Sequence, residues 1–351
     1  MQRVHQSKKT IHWLNYVRAI SMIAIYYIHA QEFFGYSIHG LGKYIFPFYV
    51  NSFFFVSGYL LFRKYMSRPD DYKKLTRFCL ENILFRLVIP SILFSAVFYI
   101  PSSIIQNRSL SLFSFLEKTI AGGTFWYISA LAVAELVFCL LYRCGIRNMF
   151  VFCLIGIALF VPGMIIAKNE IVIFEGFTDN PWYFEKGFMA FIFLVFGGLY
   201  WKYETLVDKY INKLSVACLL AVFYIIVMHF FSSNISVLIS TKGMNGYGVV
   251  MSTISILILV VLCKLISGNN MITKLLDSIG KKTMGLYLVC GSIPKVIAIF
   301  HPKGNLIYVI MGFVISFSLS YLCVIILDRF FPFLFDVRRV WYHQKETRSH
   351  I

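Results

Sequence analysis

Along this chain apolar residues gather in blocks of bilayer length, and charged residues collect in the gaps between them. Ten blocks stand out, at roughly 13 to 33, 44 to 62, 80 to 100, 124 to 142, 148 to 167, 184 to 201, 213 to 232, 247 to 266, 283 to 300 and 305 to 328. About 20 apolar residues suffice for a helix to cross the hydrocarbon core. The pattern predicts an all-α, polytopic membrane bundle of about ten transmembrane helices. No long loop and no Pro/Ser-rich linker divides the chain, so residues 1–351 are expected to form one integral-membrane domain.

The first block is not uniformly apolar. Arg18 and His29 lie within it, and eleven helical residues at about 100° each return to within roughly 20° of the starting direction, about 16 Å farther along the axis. Asn15, Met22 and Tyr26 lie close to the same stripe. The predicted helix therefore carries one polar seam. Ionisable side chains at membrane depth are costly unless they face a protein interior or a water-filled cavity, so the seam points to function.

Composition supports the membrane assignment. The chain is 59% hydrophobic, 18% aromatic and 14% charged, with mean hydropathy +0.73, whereas soluble domains carry about 25% charged residues. A net charge of +17 and a pI near 9.5 would suggest nucleic acid for a soluble protein. Here the charges alternate from loop to loop, and no nucleic-acid partner is expected. With ten crossings, 23 Lys and Arg residues fall on the side of the termini and 7 on the other, with Arg18, Arg86 and Lys295 inside spans. The positive-inside rule then makes both termini cytoplasmic, including the basic segments 1–12 and 329–351. The basic start resembles a signal peptide, but no small-residue cleavage site follows, so the first block reads as a retained span. The eight cysteines show no metal-ligand spacing and read as small core residues. In the acidic loop from 168 to 186, Pro181-Trp182-Tyr183 suits an interfacial aromatic anchor.

Topology converts position into depth. At 1.5 Å per residue, Arg18 lies about 8 Å in from the cytoplasmic surface and His29 about 24 Å in; Arg86 of the third block lies about 9 Å deep and Glu135 of the fourth roughly 10 Å. Ser57 is close to that same inner layer. Each residue also has a plainer role open to it. Arg18 or Arg86 alone can snorkel to the headgroups, Glu135 can simply neutralise one of them, His29 can be a satisfied core imidazole, and Lys295 suits snorkelling at the outer end. Taken together, an inner basic layer suits a phosphate-bearing cytoplasmic ligand, because Arg grips phosphate through a planar fork. A histidine farther out suits proton transfer to or from a hydroxyl.

The ordered motifs resemble those of the acyltransferase type 3 family, multi-span bacterial membrane enzymes that move acetyl or other short acyl groups from acyl-CoA to sugar hydroxyls. The resemblance rests on Arg18 and His29 at their spacing, Phe53-Phe54-Phe55-Val56-Ser57-Gly58-Tyr59-Leu60-Leu61, Arg86-Leu87-Val88-Ile89-Pro90, Phe125-Trp126-Tyr127-Ile128, and Ile279-Gly280-Lys281-Lys282-Thr283-Met284-Gly285-Leu286-Tyr287-Leu288. Three positions depart from the family pattern: Asn15 stands where Asp is common, Ile83 where a second Arg often precedes Arg86, and Cys290 where many members have His. The resemblance implies an inner-membrane O-acyltransferase with acetyl-CoA or another acyl-CoA as donor and no metal. The acceptor would be a surface glycan or its lipid-linked sugar precursor, met among membrane lipids. It implies His29 as general base and Arg18 and Arg86 as donor-binding groups, with Asn15, Tyr26, Ser57, Trp126, Tyr127 and Glu135 lining the pocket. The rival from another class is a secondary transporter or flippase with Arg18, Glu135 and His29 along its path.

Overall fold

The computed structural model describes residues 11–36, 40–67, 72–105, 110–211, 214–231, 239, 244–266 and 270–338. The basic segment before residue 11 and the tail beyond 338, both assigned above to the cytoplasm, lie outside the described residues. Fifteen α-helices follow in order among the described residues: α1 His12–Phe33, α2 Leu41–Ile45, α3 Asn51–Met66, α4 Tyr72–Asn82, α5 Ile89–Ile105, α6 Leu112–Thr119, α7 Trp126–Arg143, α8 Met149–Lys168, α9 Phe184–Ile211, α10 Leu214–Phe230, α11 Gly246–Leu265, α12 Met271–Lys281, α13 Thr283–Cys290, α14 Ile293–Phe300 and α15 Leu306–Phe330. There is no strand among the described residues.

Among the described residues, six helical stretches are long and apolar enough to cross a membrane: 75–105, 126–143, 149–168, 181–210, 246–265 and 306–330. A seventh arises if α13 and α14, bent by 46° at their junction, count as one broken span. The expected uniform blocks are thus subdivided. The block at 44–62 breaks into α2, a turn and α3. The block at 283–300 breaks after Cys290, where Gly291 and Ser292 separate α13 from α14 and Pro294 opens the next helix. Proline has no N–H to donate, so it starts a helix readily but does not continue one.

The third block bends in another way. Between α4 and α5, residues Ile83–Val88 form a π-helical stretch, with the Ile89 N–H donating to the Leu84 carbonyl. Pro90 follows, and its missing N–H would leave the carbonyl four residues back, that of Arg86, without its α-helical partner. A wider turn at this point accommodates the proline. Such π turns recur at functional sites, and this one carries Arg86.

Helix α1 runs through the centre of the bundle and packs on α3, α11, α12, α13, α14 and α15. The tightest pairing is between α3 and α9, where Gly58 faces the Leu194 backbone and Gly197 faces the Phe55 carbonyl; a Cβ at either would lie 1.9 or 2.0 Å from a backbone oxygen. Small residues are what let membrane helices approach this closely. At one end of this pairing Lys264 of α11 bonds Glu204 at 2.7 Å and Asp208 at 2.8 Å on α9, while the Tyr59 hydroxyl donates to Glu204 at 2.6 Å. That ion cluster pins α3, α9 and α11 together.

In the Pro181-Trp182-Tyr183 turn the Trp182 N–H donates to the Ala121 carbonyl at 2.7 Å, and Tyr183 is buried. All eight cysteines are free thiols, but Cys144 and Cys218 are exposed rather than core residues.

Candidate functional site

Two cavities stack along the polar seam of α1. The first, about 190 Å³, is lined by Arg18 and Met22 of α1, Ser57 and Lys64 of α3, Asn82, Arg86, Tyr127, Glu135, Lys281 and Tyr287. Arg18, Ser57, Arg86, Tyr127 and Glu135, five of the residues singled out in the sequence, therefore meet in one place. Neither Arg18 nor Arg86 makes a hydrogen bond or ion pair with another described residue. The two guanidinium groups are close enough to repel each other. Glu135 attracts Arg86 first and Lys64 second, without a close ion pair among the described residues. Lys281 pairs with Asp277, so Arg18 and Arg86 face a cavity whose one lining carboxylate among the described residues is Glu135. A buried charge without a counter-ion is costly, so the arrangement favours an anionic occupant.

The second cavity is larger, about 570 Å³. His29 and Glu32 of α1 line it with Ser95, Tyr99, Ser102, Ser103, Ser114, Lys118, Thr124, Trp126, Tyr287, Cys290 and Lys295. Several hydroxyls and an indole stand on an otherwise largely apolar wall, groups able to hydrogen-bond and stack against a polyhydroxylated ligand. His29 stacks on Phe33, with ring centroids 5.5 Å apart. Its Nδ1 is buried and has no hydrogen-bond partner among the described residues; Glu32 Oε2 lies 3.5 Å away, an ion-pair separation. The Cys290 thiol lines the same cavity, close enough to interact with the imidazole. Lys295 projects toward the Phe33 ring at 5.6 Å.

Tyr287 lines both cavities. Its hydroxyl accepts the backbone N–H of Tyr127 at 3.2 Å, one of the donors that the first turn of α7 leaves unpaired. The two rings meet edge-on at 5.0 Å, with Phe54 packed 5.0 Å from Tyr127 and Phe125 6.2 Å from Tyr287. This aromatic wall separates the basic cavity from the histidine cavity. Neighbouring residues of α7 serve opposite sides of it, Tyr127 in the first cavity and Trp126 in the second.

Two of the expected lining residues lie elsewhere. Tyr26 donates its hydroxyl to the Leu286 carbonyl at 3.0 Å and is buried against Phe317. Asn15 donates through Nδ2 to Asp277 Oδ1 at 2.8 Å. Both fix α1 against α12 and α13 rather than touching either cavity. Their place on the stripe is right, but on those turns a protein partner covers the stripe.

Several residues of the site were not singled out in the sequence. Asp277 gathers His12 at 3.0 Å, Asn15 and Lys281. Burial opposes its ionisation, yet the hydrogen bonds from Lys281, Asn15 and His12 hold its carboxyl below the usual range. It stands outside the apolar blocks, in a short amphipathic helix that blends with loop composition. Lys64 and Lys281 read as loop cations. The i,i+3 spacing of His29 and Glu32 was a signal in the sequence, and it could have marked the carboxylate.

No curated protein and no solved structure matches the chain. A type 3 family model, described as an acyltransferase domain, matches residues 11–327, nearly the whole length. With its apolar helices, its paired cavities and this match, the chain belongs to the acyltransferase type 3 family of multi-span membrane acyltransferases.

Proposed function

We propose that this protein is an O-acyltransferase of the bacterial inner membrane. It takes an acetyl or other short acyl group from cytoplasmic acyl-CoA and transfers it to a hydroxyl of a surface polysaccharide or its lipid-linked precursor. The excess of Lys and Arg on the side of the termini supports a cytoplasmic, donor-side basic cavity and a histidine cavity toward the opposite face. The observation that carries this reading is the pair of guanidinium groups, Arg18 and Arg86, with no ion-pair partner among the described residues, facing one cavity beside Lys64 and Lys281. Coenzyme A is a polyphosphate with a long flexible arm ending in a thiol. The cations would hold its phosphates, and the arm would extend along the α1 seam toward His29. There the imidazole, oriented by Glu32, would accept the proton of the acceptor hydroxyl as oxygen attacks the acyl carbon. The hydroxyl-rich wall around Trp126 supports a sugar as the acceptor.

Purified protein in lipid nanodiscs, given acetyl-CoA and a glycan extract, is expected to release free CoA and O-acetylate the glycan. Arg86→Ala should raise the KM for acetyl-CoA while leaving most of kcat. His29→Ala should lower kcat by about 10²–10⁴-fold, the usual contribution of a general base. Undiminished transfer by His29→Ala at equal protein level, or an Arg86→Ala enzyme with unchanged KM, would remove the corresponding role.

A further inference from the structure

The proposed mechanism leaves one reactive group in the histidine cavity unused. Cys290 ends α13 at the break with α14, its thiol donates to the Tyr287 carbonyl at 3.0 Å, and the residue lines the cavity wall. It is not isolated. His29 and Glu32 line the same cavity, with His29 Nδ1 3.5 Å from Glu32 Oε2, and the thiol is close enough to the imidazole to interact with it. No other cysteine lines either cavity among the described residues. A nucleophile beside a base, with the base oriented by a third group, is the arrangement that supports covalent catalysis. Tyr287 forms part of the wall between the cavities and supplies the carbonyl that Cys290 contacts, so the thiol stands just past the point where a donor arm would emerge.

We propose that Cys290 is an acyl-accepting nucleophile, and that transfer proceeds through an S-acyl-Cys290 thioester on the enzyme. This rests on the acyl-CoA reading given above. In the first step His29 takes the Cys290 thiol proton, the sulfur attacks the acyl carbonyl carbon, and the carbon–sulfur bond to CoA breaks. The departing CoA thiolate receives the proton from the imidazolium. One thioester replaces another, so the step is close to balanced. In the second step His29 takes the proton of the acceptor hydroxyl, oxygen attacks the same carbon, and the bond to Cys290 breaks. The imidazolium returns the proton to the thiolate. No redox partner is needed, and conversion of thioester to ester drives the second step forward. The relay explains how a donor held in one cavity serves an acceptor in the other without both occupying the site together.

The test uses full-length protein in nanodiscs with acetyl-CoA labelled in the acetyl group and no acceptor. The wild type is expected to take up label that neutral hydroxylamine removes and that maps to the peptide containing Cys290. It should also exchange labelled free CoA into unlabelled acetyl-CoA. Cys290→Ala should lose both label and exchange, whereas Cys153→Ala should keep them. Cys290→Ser, which preserves the fold with one atom changed, should carry a hydroxylamine-resistant ester or none, with transfer slowed. The proposal is overturned if the wild type forms acylated product yet shows neither label nor exchange, or if Cys290→Ala transfers at the wild-type rate. Those results leave the acyl-CoA reading intact. A wild type that releases no CoA with any glycan extract would overturn both.

Discussion

Asp277 illustrates how a single residue sets the position of the seam. Its carboxylate accepts from Asn15 and pairs with Lys281 and His12, so the N-terminal end of α1 is tied to α12 a few residues from Arg18. A carboxyl held below its ordinary value stabilises the fold above the unfolded-state pKa, near 3.9. That contribution is lost as pH falls through the depressed folded value. Asp277→Asn is therefore expected to lower stability by about 1–3 kcal/mol near neutrality, the usual cost of removing one partner from a bonded polar group. The difference from wild type should shrink below about pH 4. Thermal melts in detergent at pH 7 and pH 3.5 check this; a gap equal at both values would show that the carboxylate charge is not what matters. At this scale the sequence was partly legible. Arg18, Arg86 and Glu135 stood out because charge is conspicuous against apolar surroundings, and Ser57 by its depth and motif, but Asp277 was hidden among loop charges. Asn15 and Tyr26 shared the stripe, and only their partners on α12 and α13 show that they are structural.

Among the elements, the α3–α9 pair carries the scaffold. Gly58 belongs to the Ser-Gly-Tyr run of α3, and its lack of a side chain is what allows Ser57 and Tyr59 their positions: Ser57 on the basic cavity and Tyr59 on the Glu204 cluster. Gly280 does the same for α12, with a Cβ there lying 2.1 Å from the Asn15 carbonyl oxygen. Gly58→Ala must force α3 from α9. Overpacking a close helix contact costs about 1–3 kcal/mol or more, so the variant is expected to show reduced monodisperse protein by fluorescence-detected size exclusion. An unchanged yield and melting temperature would mean the helices separate without cost. The sequence marked these glycines by their place in motifs, but which backbone each one meets depends on the packing. Asn148, Asn245, Asn270 and Asn305 cap the helices that follow them. The π-helical turn at Ile83–Val88 was not legible in the sequence, because a proline permits several local responses.

For the whole molecule, the two cavities and the wall between them matter more than any one residue. Tyr127 and Tyr287 come from helices 160 residues apart in sequence, and they close the seam that α1 would otherwise leave open. Tyr287→Ala should join the cavities and admit water to the donor arm. Acetyl-CoA hydrolysis without acceptor is then expected to rise while glycan O-acetylation falls, both read by thiol titration and product mass spectrometry in the same preparation. A variant that keeps wild-type coupling of CoA release to product would show that the wall does not control passage.

The sequence by itself determined the helical membrane character, the polar seam and the family, because hydropathy, 3.6-residue periodicity and ordered motifs are local properties that survive without a partner. It also determined which charges enter apolar surroundings. Tertiary structure decided where the long blocks break, which polar residues face a cavity and which face a neighbour. It also brought Cys290 beside His29. Those outcomes depend on close approach between helices distant in the chain, and the spacing of residues along one helix carries no information about the atoms that another helix brings to it.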